Sequence, residues 1–133
     1  RDIFVDHFYN NDINISELTN RNFEEKSDFT IEKYKYGVKK GKKRIETIFE
    51  RDGNIWVENN FLPHTLQKSF ILEAGSENIS HISVLKNNSM TANDYFHGIE
   101  LNLALYPDKQ TSELIYKENR IELFSEDKIY GIK

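Results

Sequence analysis

The sequence contains no cysteine, which excludes disulfides, thiolate metal sites and a cysteine nucleophile. Proline occurs twice and glycine six times, and no P-loop, GxGxxG turn or GxSxG elbow is present. The apolar runs are only a few residues long, so no span of about 18 apolar residues can be drawn. The four histidines, His7, His64, His81 and His97, form no HxH or HxxxH pair, and neither a metal nor a cofactor is expected from them. Positive charge is also in deficit, with 18 basic residues against 22 acidic ones and a formal net charge of -4. The field of the whole chain therefore has the wrong sign for a nucleic acid or an anionic membrane surface.

What is present describes a wet β protein. Of 133 residues, 38% are hydrophobic, 13% aromatic and 30% charged, which is enough to build one core under a strongly solvated surface. A single domain spanning residues 1–133 is expected. Because the chain begins at Arg1, either a leader has been removed or preceding residues have been omitted; a cytoplasmic and an exported location both stay open. One basic island, Lys33, Lys35, Lys39, Lys40, Lys42, Lys43 and Arg44, interrupts the acidic background. Its ordinary use is as a solvated turn, and its sharper use is as a phosphate patch.

The clearest strand pattern lies in Gly98 to Phe124, where Ile99, Leu101, Leu103 and Leu105 alternate with Glu100, Asn102, Ala104 and Tyr106. A turn is predicted at Pro107 to Gln110, then strands over Thr111–Tyr116 and Arg120–Phe124. Upstream, the apolar spacing of Arg1–Asn10 suits either a short helix with one apolar stripe or a buried strand, the helix being preferred, and Asn20–Ser27 reads as a loop or a frayed helical turn. Asp28–Tyr36 reads as a strand ended by Gly37. The run Arg44–Glu50 alternates and meets Arg51-Asp52-Gly53-Asn54, where Asp-Gly predicts a type I′ hairpin turn with the return strand over Ile55–Phe61. Pro63 is expected to end that pairing. Thr65–Ala74 and Ile79–Leu85 make a further hairpin about Gly75, and Asn87–Asp94 a loop. The fold class is thus mainly β, an antiparallel meander of successive hairpins with a short helical or irregular N-terminal segment.

Turns near Asp52, Gly75 and Asp108 suggest a repeated strand-turn-strand unit. Tyr36-Gly37 leading into IETIFERDGNIWVENNF, and Phe96-His97-Gly98 leading into IELNLALYPDKQTSELIY, share a glycine, an alternating strand, an Asp-containing turn and a second strand. In this arrangement residues 36–124 resemble the MORN-like repeat proteins of the bacterial antitoxin type, although Lys109 stands where that family has glycine. The resemblance implies a hairpin array used for protein contacts and brings no catalytic residue with it.

Candidate chemistry is sparse. His97 with Glu100, or His81 with another carboxylate, could compose a small hydrolase or nuclease site. The rings Trp56, Tyr106 and Tyr116 are ordinary core or cross-strand residues, or else anchors for a protein or a sugar ring on an outer sheet face. The leading expectation is a non-enzymatic, immunity- or antitoxin-like domain that blocks a partner protein, itself basic, through Trp56, Tyr106, Tyr116, Glu100 and Glu113. The alternatives are an exported or lipoprotein-type β module that binds a ligand or cell-surface component, and the small hydrolase. No catalytic residue is assigned, no nucleic-acid partner is expected, and oligomeric state is left open.

Overall fold

The computed structural model describes residues 3–101 and the two strands at 113–116 and 119–122. In chain order the elements are β1 (Val5–Tyr9), α1 (Ile15–Thr19), β2 (Lys35–Lys40), β3 (Arg44–Val57), β4 (Asn60–Glu73), β5 (Ile79–Asn87), β6 (Phe96–Glu100), β7 (Glu113–Tyr116) and β8 (Asn119–Glu122). They form three antiparallel sheets, ordered β1-β6, β2-β3-β4-β5 and β7-β8. The expected class, mainly β and antiparallel with a short helical element near the N-terminus, is the observed one.

The structure is organised around the β3–β4 hairpin, whose strands are each 14 residues long. The hairpin turn predicted at Asp52-Gly53 does not form there. Both residues lie inside β3, Asp52 opposite Thr65 and Gly53 opposite His64, and the chain reverses at Glu58-Asn59, with Glu58 at φ 54. A tertiary contact explains the glycine: a Cβ at Gly53 would stand 2.9 Å from the Phe29 ring and collide with the Asp28 carboxylate. Asp28 in turn accepts from the Asn54 backbone N–H at 3.1 Å. A close approach, not a turn, requires glycine at this position.

The N-terminal apolar run is a strand rather than the predicted helix. β1 pairs with β6 from Val5↔Glu100 to Tyr9↔Phe96, and Asp6 and Phe8 on one face are buried. The helical segment comes later, at α1, begun by a capping box in which the Asn14 side chain accepts from the Glu17 N–H while Glu17 accepts from the Asn14 N–H. Of the predicted Asp28–Tyr36 strand only Lys35 and Tyr36 are β: residues 28–32 turn and bend, and residues 33–34 are irregular. β2 begins at Lys35 and passes through Gly37, and the reversal comes at Gly41, whose N–H donates to the Arg44 carbonyl at 2.8 Å. Pro63 does not end pairing but lies within β4 opposite Asn54. Its carbonyl accepts from Asn88, so its nitrogen faces the same side, past the end of the β5 ladder, where no donor is needed. The hairpin about Gly75 is observed, with φ +84 at the glycine.

Neighbouring residues of a strand point to opposite faces. Along β4, His64, Leu66, Lys68, Phe70 and Leu72 share the inner face. Leu66 joins Phe8, Phe29 and Ile55 in the buried core, against which Tyr34, Val57, Leu85 and Tyr95 pack. Of the Gly98–Phe124 stretch, β6 carries the first part. Residues 102–112, with the predicted turn at Pro107, lie outside the described residues. β7 falls within the predicted Thr111–Tyr116 strand and β8 overlaps the predicted Arg120–Phe124 strand but begins one residue earlier, at Asn119, with Glu113 opposite Glu122 and Tyr116 opposite Asn119.

Candidate functional site

Between the entry to β1, residues 29–34 and the inner face of β3, β4 and β5 lies a cleft of about 780 Å³. The alternation of β3 and β4 places Thr47, Phe49, Phe70 and Leu72 on its sheet wall, and Ile79 of β5 extends that wall. The facing walls carry Ile3, Phe4, Ile31 and Tyr34. Phe4 takes a left-handed φ of 57, which sets its ring edge-on to Phe70 at 4.7 Å and 5.1 Å from His81.

Asp6 and Lys68 give the cleft its charged element. The Lys68 ammonium donates to Asp6 Oδ2 at 2.5 Å and to the Phe4 carbonyl at 3.0 Å, and lies 4.5 Å from the centre of the Tyr34 ring. His97 Nε2–H donates to the other carboxylate oxygen, Oδ1, at 3.0 Å. Burial pushes the Asp6 carboxyl up, but hydrogen bonds from His97 and Lys68 and the charge of both outweigh it, so its pKa lies below the usual carboxylate range. Burial, with Asp6 nearby, raises the Tyr34 hydroxyl above the ordinary tyrosine value.

A second cluster lies on the β1–β6 sheet. His7 Nδ1 donates to Glu25 Oε2 at 2.7 Å and Nε2 to Glu100 Oε2 at 3.0 Å. Both ring nitrogens donate only in the charged imidazole. The Glu25 hydrogen bond raises the His7 pKa, burial opposes it, and Glu100 adds to the rise. Glu25 is held by the Phe8 N–H at 3.0 Å and the Ser27 hydroxyl at 2.8 Å. The Tyr9 hydroxyl nearby is pushed up to about 12 by burial and by the charges of Glu25 and Glu100.

The histidine pairs suggested by sequence are therefore replaced by others: His97 meets Asp6, Glu100 meets His7, and His81 stacks on Phe70 at 4.7 Å with its Nε2 bonded to Ser83. Burial lowers the His81 pKa. Among the described residues no group of histidines and carboxylates is placed to hold a metal ion.

The residues singled out for partner binding are dispersed. Trp56 sits near the tip of the β3–β4 hairpin beside its cross-strand neighbour Phe61, ring centres 5.8 Å apart, with Phe61 66% exposed. Glu100 ends β6. Glu113 and Tyr116 begin and end β7, and Tyr106 lies outside the described residues. Asp6 and Lys68 were missed, although each left a signal: a carboxylate inside the apolar run Ile3–Tyr9, and a lysine in phase with the inward Leu66, Phe70 and Leu72.

No curated protein and no solved structure matches the chain. A family model does, "Alpha-amylase/4-alpha-glucanotransferase, C-terminal", over residues 1–130. This overturns the MORN-like resemblance, whose best-fitting turn, Asp52-Gly53, is in any case the interior of a strand. It overturns with it the immunity- or antitoxin-like function, since the family is set in carbohydrate-active enzymes rather than inhibitors. With nearly its whole length matched, the chain belongs to the alpha-amylase/4-alpha-glucanotransferase C-terminal family.

Proposed function

We propose that this chain is a single, non-catalytic β domain at the C-terminal end of an enzyme that cleaves or transfers α-glucan chains. The observation that carries the reading is the family match over residues 1–130, and the chemistry of the cleft supports the non-catalytic part. A glycosidic acid must hold a proton at working pH, and its partner must have a free oxygen to attack or to activate water. Asp6, the buried carboxylate of the cleft, is held ionised and spends one oxygen on Lys68 and the other on His97. It braces β1, and through His97 β6, against β4 of the large sheet and is not poised for turnover. The domain's contribution is structural support of the enzyme to which it is joined.

The test is an assay of the full gene product and of residues 1–133 on maltoheptaose, following new reducing ends and redistribution of chain length. The full protein is expected to show one or both activities and the isolated chain neither. Turnover by residues 1–133 alone, or a full-length product inert on α-glucans, would overturn the reading.

A further inference from the structure

Resting on that reading, we propose that Trp56 and Phe61 form a stacking platform for an α-glucan chain at the tip of the β3–β4 hairpin, on the sheet face opposite the core. The alternation of β3 turns Ile55 into the buried core and Val57 against it, so Trp56 between them points to the other face. Phe61 stands directly opposite Trp56 in the ladder and shares that face. Phe61 is 66% exposed. The ring centres are 5.8 Å apart and the ring planes differ by 49°. Two tilted rings side by side offer a shallow apolar surface to a third group, where a tight stack would be closed on itself.

The surroundings say what the rings take. On one side residues 26–27 run beside the strand, the Trp56 N–H donating to the Lys26 carbonyl at 2.8 Å, and the Lys26 ammonium is paired with Glu24 at 2.5 Å. Along the same face, two rows from the rings and about 14 Å away at the rise of a strand, Asp52, Thr65 and Lys86 stand side by side. Thr65 donates to Asp52 at 2.6 Å and accepts from the exposed Asn88 side chain at 2.8 Å. These charges balance, Lys26 against Glu24 and Asp52 against Lys86 in its own row, so the surface selects no ion. An apolar seat beside hydrogen-bonding groups matches a pyranose, whose C–H face packs on the negative face of an aromatic ring and whose edge carries hydroxyls. A chain of several glucose units then rests a C–H face on the rings and turns hydroxyls toward Asp52 and Asn88. The apolar area is only two rings wide, small for a stable protein contact but of the size of a sugar.

Affinity electrophoresis of the full-length enzyme in native gels containing amylose tests this, with turnover of maltoheptaose as the control for the catalytic site. The variants are Trp56→Ala, Phe61→Leu and Phe61→Tyr, at side chains outside the buried core. Phe61→Leu keeps apolar bulk but removes the ring face, and Phe61→Tyr keeps the face. Trp56→Ala and Phe61→Leu are expected to raise the dissociation constant for amylose by about tenfold, with Phe61→Tyr close to the parent and kcat/KM on maltoheptaose unchanged in all three. Retention by amylose that is unchanged in Trp56→Ala and Phe61→Leu, in an enzyme active on α-glucans, would overturn the platform while leaving the function standing. A loss that Phe61→Leu escapes would overturn it too, and so would a loss matched by an equal fall in maltoheptaose turnover and a lower Tm, since the tip would then be a packing contact within the enzyme. A product neither active on α-glucans nor retained by amylose would remove both readings.

Discussion

Asp6 and Lys68 are separated by 62 residues in sequence and by 2.5 Å in space, the carboxylate fully buried and the ammonium nearly so. This pair ties β1 to β4, and His97 of β6 completes it from the other carboxylate oxygen. Removing one member of such a pair strands the other in a poorly solvated site, whereas removing both costs far less. Asp6→Ala is expected to destabilise by about 3–5 kcal/mol, and Asp6→Ala combined with Lys68→Met by clearly less than the sum of the single changes. Urea unfolding of the four members of the cycle measures this coupling.

The same carboxylate predicts an acid limit. The Asp6 pKa is lowered by folding, so its contribution is fully present above the unfolded value of about 3.9 and is lost as pH falls through the lower folded value. Thermal melts below about pH 4 should therefore show a fall in Tm that is shallower in Asp6→Asn, whose baseline stability is already reduced.

His7 predicts the opposite slope. Its pKa is raised by Glu25 first and by Glu100 besides, against the effect of burial, so the stabilisation is complete below about pH 6.5 and is lost as pH rises through the raised folded value. Tm measured from about pH 6 to about pH 9 should decline in the parent and be flatter in His7→Gln. An unchanged slope in the variant would remove His7 as its source.

Gly53 offers a test of why it is glycine. If Asp-Gly formed a turn there, Gly53→Ala would be a problem of positive φ. In the structure the obstacle is the Phe29 ring at 2.9 Å and the Asp28 carboxylate. Gly53→Ala is expected to cost about 1–3 kcal/mol as an overpacking change, and pairing it with Phe29→Leu should recover part of that cost. Absence of recovery would leave the Asp28 carboxylate as the obstacle.

The helix cap is a smaller effect on a local element. Asn14→Ala removes one half of the capping box and is expected to cost about 1 kcal/mol. Because α1 spans only Ile15–Thr19, the loss should appear as faster amide exchange at residues 15–18 rather than as a large shift in global unfolding.

By itself the sequence determined the class and the local hairpins. Alternation wrote β5, the second half of β4 and the β7–β8 pair, and Gly75 at φ +84 marks a turn that its neighbours already announced. These are decisions taken over a few residues, where side-chain period and turn chemistry act directly. Tertiary structure decided the rest. Ile3–Tyr9 carries apolar residues at spacings that suit a helix or a strand, and β6, some 90 residues away, settles it by supplying hydrogen-bond partners. Asp52-Gly53 has every local mark of a turn, yet the burial of Phe29 against the flat backbone of Gly53 keeps it extended. The cleft was legible only as an unexplained carboxylate in an apolar run and a lysine in an inward phase, because desolvation of a charge makes sense only once its counterion is in place. Local preferences are worth fractions of a kcal/mol, and a buried contact between distant segments outweighs several of them at once.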